Sequence, residues 1–232
     1  MECIKILSVG ERLRHERKKL NLGQDDLAGD RFSKNYISMF ENNRRSINRR
    51  NAEYLAQRIN ELSAEKGLDN YIDPEYFLKS KEELAKECCE KRIEEIRSEL
   101  IEESERQKEI YRVWKLSQDY NLLEHIGEIY YIKGLDAYRD KKYRCAVTNA
   151  QASINYYSRV SLFDKSVGSY ELLGDISFER EYYEEAIIYY NLGLSISKSL
   201  KAQSDESIAR KLEKSYSRNN RYGKAKENRS CI

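Results

Sequence analysis

The apolar residues of this chain recur at spacings of three and four, which is the period of an amphipathic helix. The first such stretch begins at Ser8, which has the spacing of a capping box with Glu11, and it ends at about Leu20. Val9, Leu13 and Leu20 are predicted to face the core. The basic residues predicted on its solvent-exposed side are Arg12, Arg14, Lys18 and Lys19.

A short second helix is predicted from Gln24, and a third from Lys34 to about Asn42 with Ser33 as its N-terminal cap. The core-facing residues of the third helix are predicted to be Tyr36, Ile37 and Phe40. A fourth helix is predicted over about residues 50–62. Because the third helix is short, it must be held by packing against the others rather than by its own propensity.

The outer face of the third helix carries small and polar side chains, which suit the base edges of a DNA major groove. Lys34 can bond the O6 or N7 atom of guanine, and Asn35 can form two hydrogen bonds to adenine. Residues 31–50 contain six Lys or Arg residues against the single acid Glu41, so this helix has the basic flanks that phosphates require. The alternative is that the N-terminal helices, referred to below as the head, use this basic face to dock a protein rather than DNA. The outer-face residues are Ser33, Lys34, Asn35, Ser38 and Asn42.

Three motifs in this region carry a family resemblance. They are Leu13 with Arg17, the run GQDDLA at residues 23–28, and the run YISMFEN at residues 36–42. Together they resemble the helix-turn-helix of the lambda-repressor and Cro-like family, also called the XRE family, over about residues 8–62. The spacing between the second and third helices is one residue shorter than is usual in that family, and the usual turn glycine is absent.

The resemblance implies roles for the residues around the third helix. It implies that Gln24 meets a phosphate or a base, and that Glu41 forms a structural ion pair with Arg17. The residues that it implies face base edges are Ser33, Lys34, Asn35, Ser38 and Met39. The residues that it implies hold phosphates are Asn42, Arg44 and Arg45.

The chain after the fourth helix is predicted to connect two domains. Asp73 is predicted to cap a short turn that begins at Pro74. Ser80 and Glu83 form a second capping box, and a long helix with one apolar stripe follows. We favour the interpretation that this helix is the first of a C-terminal helical stack. The alternative is that its stripe pairs with a second copy of the chain in a dimer. Its residues are Ala85, Cys89, Ile93, Ile96 and Leu100.

From about residue 124 the chain repeats itself with a period of 40 residues. Gly134, Tyr138, Tyr143, Ala146 and Ile154 recur as Gly174, Phe178, Tyr183, Ala186 and Leu194. A fainter third copy consists of Leu212, Tyr216, Tyr222 and Ala225, and it stops near Ile232 before a second helix is complete. Such periodicity indicates stacked helical hairpins, in which the glycines and alanines let helices approach and the aromatic residue before each alanine packs at the turn. Residues 81–123 are expected to form a further, divergent hairpin.

The repeated units resemble tetratricopeptide repeats, most clearly in residues 174–194. A Cro-like head followed by such repeats resembles the quorum-sensing peptide-pheromone regulators of Firmicutes, the Rgg, PlcR, NprR and PrgX group. That resemblance implies a homodimer on a palindromic double-stranded DNA operator, and a short peptide on the concave face of the repeats. The alternative is that the residues predicted to line this face are ordinary solvated helix positions that bind no peptide. These residues are Tyr131, Leu135, Arg139, Glu171, Asp175, Glu179, Arg210, Lys214 and Arg218.

The composition fits a helical protein and narrows its chemistry. Charged residues make up 35% of the chain, yet the net charge is +2 and there is one proline, which is typical of helices with solvated faces of both signs. Lys and Arg outnumber Asp and Glu by 13 to 9 in residues 1–62 and by 20 to 16 in residues 111–232, whereas acids lead by 15 to 9 in between. The basic head therefore coincides with the candidate DNA-reading helix.

The cysteines and histidines do not form any of the sequence patterns typical of disulfide, metal or catalytic sites. The five cysteines contain no C-x-x-C and the two histidines, His15 and His125, lie far apart, so neither a disulfide framework nor a zinc site is expected. Cys88 and Cys145 are expected to pack as small apolar residues. Because no phosphate-binding loop or nucleophile–histidine pattern occurs, we expect no enzyme activity, cofactor or metal. No segment approaches the roughly 20 apolar residues of a membrane span, so a cytoplasmic protein that does not bind membranes is expected.

These patterns predict an all-α protein with a helix-turn-helix domain at residues 1–66, a connector at 67–80 and a short tetratricopeptide-like α-solenoid at 81–232. The predicted function is transcription regulation by sequence-specific DNA binding, with repeats that dimerise and bind a peptide or protein effector. The alternative is a protein-interaction adaptor that acts through the repeats, with little or no specific DNA binding.

Overall fold

The computed structural model describes residues 4–98, 101–199 and 205–230, apart from the side chains of 205 and 221–230. Every α-helix and the one 3-10 helix in these ranges follow each other without a strand, so the predicted all-α fold is confirmed. The chain divides into two compact units between Cys88 and Cys89. This division lies inside a helix and differs from the predicted limits at 66 and 81.

The first unit contains the four predicted helices. They are α1 (Val9–Lys19), α2 (Gln24–Ala28), α3 (Lys34–Glu41) and α4 (Arg49–Glu65), and they are followed by a 3-10 helix (Pro74–Phe77) and the start of α5 (Lys81–Arg97). The predicted caps are present: Glu11 N donates to Ser8 Oγ, Tyr36 N to Ser33 Oγ, and Glu83 N to Ser80 Oγ. The predicted core face of α3 is also confirmed, since Ile37 and Phe40 are fully buried and Tyr36 is half-buried against the core.

Helices α1 and α3 approach so closely at Gly10 that a side chain cannot fit. A Cβ atom at this position would lie 2.3 Å from the carbonyl oxygen of Phe40. Asn43 follows α3 with φ of 54°, and its Oδ1 accepts a hydrogen bond from Gly10 N at 3.0 Å. Its Nδ2 donates to Ser8 Oγ at 2.9 Å. The C-terminal end of α3 is thereby fixed to the N-terminal end of α1.

The predicted exposure of Arg12 was wrong, because the segment after α4 covers that side of α1. The Arg12 side chain is buried, its Nη2 donates to Lys79 O at 2.6 Å, and its guanidinium lies 5.3 Å from the centre of the Tyr76 ring. Burial lowers the pKa of Arg12. Ile72 belongs to the same core, so residues 67–80, which we interpreted as a connector, are part of the first unit.

The second unit consists of the end of α5 and six further helices. They are α6 (Glu103–Asp119), α7 (Leu123–Arg139), α8 (Tyr143–Arg159), α9 (Phe163–Glu179), α10 (Tyr183–Ser199) and α11 (Asp205–Ser230). Each helix from α6 to α10 has 17 residues, and the four linkers between them have three. The middle residue of every linker is left-handed: Asn121, Lys141, Ser161 and Glu181. Helices and linkers of constant length explain the period of 40 residues.

The repeated small and aromatic residues pack as predicted. A Cβ atom on Gly134 in α7 would lie 3.5 Å from the backbone nitrogen of Ala150 in α8, so the glycine brings the two helices together. Ala146 and Ala186 are fully buried on the partner helices. Aromatic rings meet across each turn of the repeat, Tyr138 with Tyr143 at 6.2 Å and Phe178 with Tyr183 at 5.4 Å.

Two predictions about the second unit were wrong. The third repeat is one continuous helix, α11, because the backbone stays helical where the other repeats have a left-handed residue. Cys145 is exposed, since it precedes the core-facing Ala146 and so points to another side of α8, whereas Cys89 is buried. The side chains of five residues named in the sequence analysis lie outside the part of the chain that is described: Cys3, Leu100, Tyr222, Ala225 and Cys231.

The close approach at Gly10 can be tested by adding one methyl group. Gly10→Ala is expected to lower the free energy of unfolding by about 1–3 kcal/mol, because the backbone of α3 must move away. Gly193→Ala is the matched control, since its Cβ would come no closer than 3.5 Å to Tyr170. It should raise the free energy of unfolding by about 0.5–1 kcal/mol, because alanine suits a helix interior better. Urea unfolding of both variants measures these changes, and equal stability of Gly10→Ala and the parent would contradict the packing described.

Candidate nucleic-acid interface and effector groove

Helix α3 presents its polar side to solvent, as the sequence predicts. Lys34 and Asn35 in its first turn are exposed, and Ser38 in the next turn is half-buried. Met39 is 38% exposed although it is apolar. The opposite side of the helix is the buried core face. One rigid surface of mixed polar and apolar groups therefore remains uncovered by the first unit.

A buried carboxylate holds this helix in place. The Glu41 side chain is 1% exposed and accepts from Arg17 through Nε at 2.5 Å and Nη2 at 3.0 Å. Gln24 Nε2 donates to Glu41 at 2.9 Å and Arg14 Nε at 3.4 Å. Arg17 also donates to Leu22 O at 2.8 Å. The predicted pairing of Arg17 with Glu41 is confirmed, and it connects α3 to both α1 and α2.

This network sets the ionisation of its members. Burial by itself would raise the pKa of Glu41, but the hydrogen bonds from Arg17 and Gln24 outweigh burial and lower the pKa. The hydrogen bond to Glu41 likewise raises the pKa of Arg17. Both side chains are therefore charged over the whole ordinary pH range, and the ion pair is a permanent part of the first unit.

The turn between α2 and α3 contains a left-handed glycine in spite of its shortened spacing. Gly29 ends α2 with φ of 53°, and a Cβ atom there would lie 2.3 Å from the Tyr54 hydroxyl. That hydroxyl donates to Ala28 O at 3.0 Å. Phe32 packs 5.3 Å from the rings of both Tyr36 and Tyr54. The aromatic cluster under the turn fixes the start of α3.

The predicted DNA-contacting residues divide into bonded and available side chains. Ser33 caps α3, Gln24 bonds Glu41, and Lys34 Nζ lies 3.4 Å from Asp25 Oδ2 in an exposed ion pair. Asn35 and Arg44 have no side-chain partner among the described residues, so they are free to meet a ligand.

Arginines border α3 at both ends. Asn42 donates to Ser38 O at 2.8 Å and accepts from Arg14 Nη2 at 2.7 Å, so its amide is largely used within the head. Arg14 was not among the predicted contacts, and only the fold brings it to the end of α3. Arg45 lies 4.3 Å from the centre of the Tyr36 ring, and Arg31 lies 5.2 Å from that of Tyr54. Stacking on aromatic rings orients these guanidinium groups while leaving their N–H groups available.

The second unit contains a pocket of about 380 Å³ between α5, α7 and α9. Arg97 of α5 pairs with Glu128 of α7, which also accepts from the Tyr157 hydroxyl at 2.7 Å. Lys165 of α9 pairs with Glu124. Four carboxylates face two cations and the buried His125, so the pocket is acidic. Its carboxylates are Glu90, Glu94, Glu124 and Glu128.

A second pocket, of about 290 Å³, lies between α7, α9 and α11 and repeats this arrangement. Asp175 accepts from the Tyr190 hydroxyl at 2.7 Å and from Lys211 Nζ at 2.7 Å. Burial opposes the charge on Lys211, but its hydrogen bonds to Asp175 and Glu171 raise its pKa. Each pocket thus has a carboxylate on one helix, a buried tyrosine on the next, and a cation from a neighbouring helix.

The predicted effector residues only partly meet in these pockets. Tyr131 lines the first pocket, and Asp175, Glu179 and Lys214 line the second. The remaining five positions lie elsewhere. Leu135 packs in the core, Arg139 lies 3.9 Å from Asp136, Glu171 pairs with Lys211, Arg210 lies 3.7 Å from Glu206, and Arg218 is exposed.

Apart from Tyr131, the sequence prediction missed the residues that line the acidic pocket. Glu128 and Glu124 lie on the same helix as the predicted Tyr131, about one and two turns earlier respectively. A search of the whole first helix of each hairpin, with α5 counted as one of them, would have found these positions.

No helix in the described ranges is long and apolar enough to cross a membrane. Among the same residues, no group of three His, Cys, Asp or Glu side chains is placed to hold a metal ion. Comparisons with protein-family models, with curated proteins and with solved structures find no match to this chain.

The role of Glu41 can be tested through the pH dependence of stability. Its pKa is lower in the folded state than the ordinary value of 4.5, so it stabilises the fold above that pH and its contribution is lost as the pH falls through the folded pKa. Glu41→Gln leaves the mostly buried Arg17 without its counter-charge and is expected to cost about 3–5 kcal/mol at neutral pH. The variant should also lose less stability than the parent on acidification.

Urea unfolding of the full chain between about pH 3 and pH 7 measures both effects. Glu53→Gln, on the exposed side of α4, is the control and should behave as the parent does. An identical acid-induced loss of stability in Glu41→Gln and the parent would show that another carboxylate is responsible.

Proposed function

We propose that this chain is a sequence-specific DNA-binding transcription regulator. The observation that carries the proposal is the uncovered polar face of α3, which is held from behind by the buried Glu41 network. A helix that reads base edges must be rigid, convex and free of other contacts on its outer side. The exposed Lys34 and Asn35 supply the donors and acceptor that guanine and adenine recognise. The apolar Met39 suits the methyl group of thymine.

The charges around α3 support the same proposal. Arg44 and Arg45 are exposed directly after its C-terminal end, and Arg14 lies beside Asn42. Phosphates on both sides of a major groove would meet these guanidinium groups. The Lys34–Asp25 ion pair is largely exposed and therefore weak, so Lys34 can exchange it for DNA at little cost.

We further propose that two copies bind a palindromic operator and that an effector adjusts their affinity. Two helix-turn-helix heads read half-sites about 34 Å apart, one turn of DNA. A ligand that favours one arrangement of the repeat units changes the spacing of the heads and so couples to DNA binding. The two pockets between the first helices of the hairpins are where we place a peptide or protein effector.

An adaptor that binds only a protein partner through its repeats is the second candidate. The pockets of the second unit favour it, since they do not depend on DNA. The two functions differ in their response to salt. Specific and non-specific DNA complexes both weaken steeply with salt in proportion to the phosphates contacted, and only a DNA reader discriminates between sequences.

The first test is selection of bound sequences from random duplex DNA, followed by affinity measurements on the selected site. Asn35→Ala is expected to reduce discrimination at one base pair by about 1–3 kcal/mol. Arg44→Ala should weaken binding to all sequences alike and make the slope of log K against log salt shallower by about 0.9 for each phosphate lost.

Matched controls lie on the exposed side of α8. Asn155→Ala and Arg144→Ala remove the same chemical groups far from α3 in the chain and should leave DNA binding unchanged. No enriched sequence, together with equal salt slopes for the Arg44 and Arg144 variants, would exclude DNA reading by α3 and favour the adaptor.

The second test concerns the effector. Panning a randomised library of short peptides on the full-length chain is expected to enrich cationic peptides, because the larger pocket is acidic. Glu94→Lys, which reverses one charge of the pocket lining, should weaken their binding by about tenfold. Glu95→Lys alters the next residue of α5, which is exposed and does not line the pocket. Equal losses in the two variants would indicate non-specific attraction to the acidic surface.

A further inference from the structure

Helix α10 exposes an apolar patch that the repeat itself does not require. Ile188 is 58% exposed and Leu192 is 44% exposed, one turn apart on the outer side of the helix. In α8, which has the same place in the preceding hairpin, these positions hold Thr148 and Ala152. Since α8 takes the equivalent place in the stack with the smaller Thr148 and Ala152, the large apolar side chains of α10 are not needed to stack the hairpins.

Two of the three charged side chains of α10 lie at opposite ends of this patch, and the third, Glu185, accepts a hydrogen bond from Ser177 Oγ at 3.1 Å. Glu184 lies near the N-terminal end and Lys198 near the C-terminal end, 14 residues apart. Fourteen residues make about 3.9 turns, so both side chains lie toward the same edge of the patch. Their midpoint is residue 191, next to the midpoint of Ile188 and Leu192. Both are exposed, and neither has an ion-pair partner in the part of the chain that is described.

We propose that the outer side of α10 is the surface through which two copies of this chain associate, as an antiparallel helix pair with two-fold symmetry. This proposal rests on the dimer of the proposed function and names its surface. In an antiparallel pair centred on residue 190 or 191, Ile188 packs on the partner's Leu192, and Lys198 faces the partner's Glu184. Two-fold symmetry repeats both contacts, as an isologous interface requires.

A second copy fits this surface for three physical reasons. Apolar groups occupy the centre and opposite charges the two ends, so the helix is complementary to itself only when the copies run antiparallel. Antiparallel pairing also places the N-terminal end of each helix dipole beside the C-terminal end of the other. An unrelated partner would give no reason for charges placed symmetrically about the patch.

The apolar contact is tested first, with the full-length chain and sedimentation velocity over a range of concentrations. Ile188→Glu is expected to weaken dimerisation by at least about tenfold, because it places a charged side chain against the apolar Leu192 of the other copy in both halves of the interface. Thr148→Glu changes the equivalent exposed position of α8 and should leave the dimer unchanged. Far-ultraviolet circular dichroism checks that both variants remain folded.

The charge pattern gives a test that only a symmetric pair can pass. Lys198→Glu and Glu184→Lys, each alone, place like charges together in both halves of the interface and should weaken the dimer by about three- to tenfold. An equimolar mixture of the two variants pairs opposite charges again at both ends, so it should form mixed dimers as strong as the parent.

The outcomes separate this surface from the dimer itself. The α10 surface is overturned if the parent forms a stable dimer that Ile188→Glu does not affect. It is also overturned if the mixture of Lys198→Glu and Glu184→Lys does not regain the dimer affinity of the parent. Either result leaves the proposed regulator intact. A chain that stays monomeric at every concentration, with or without the selected DNA, overturns both the surface and the dimer of the proposed function.

Discussion

The buried Glu41 carboxylate is the interaction on which the orientation of the exposed face of α3 depends. A carboxylate with 1% of its side chain exposed stays ionised only because Arg17, Gln24 and Arg14 surround it. These partners come from α1 and α2, so α3 cannot rotate or slide without separating a buried charge from its hydrogen bonds. Packing at Gly10 and Phe32 fixes the position of the helix, and the ion pair fixes its rotation. The outer side chains of α3 are therefore presented in one orientation.

The second unit uses the same kind of contact for a different purpose. Glu128 and Asp175 each accept from a buried tyrosine and from a cation on a neighbouring helix, Arg97 or Lys211. Burial and the adjacent carboxylate raise the pKa of both tyrosines, so their hydroxyls remain donors. Because the cations reach from one hairpin to the next, these contacts border both pockets. A ligand that competed for Arg97 or Lys211 would change how adjacent hairpins are held, which is the route that the proposed effector mechanism requires.

Local patterns were enough to predict the helices, their caps and the residues at repeat contacts. Residue type and spacing alone were enough to predict the cap formed by Ser8 with Glu11 and the helix contact made by Gly134 and Ala146. The sequence did not reveal the burial of Arg12, because its cover comes from Lys79, which is distant along the chain. Arg14 was missed as a neighbour of Asn42 for the same reason. The acidic pocket was missed because Glu90, Glu94 and Glu124 look like ordinary solvated positions until three helices are brought together.

The bonding of the α3 side chains also bears on the proposed DNA binding, because it leaves one copy of the chain few groups with which to discriminate between base sequences. Ser33 is occupied as a cap and Asn42 by Arg14, while Lys34 has Asp25 within 3.4 Å. Asn35 and Met39 are left as the most available groups, and two such contacts discriminate over only a few kcal/mol. Selection of one site among many competing sites needs more than this. A symmetric pair of chains would double these contacts, so the small free surface of α3 and the α10 surface proposed for self-association are consistent with one regulator that binds DNA as a dimer.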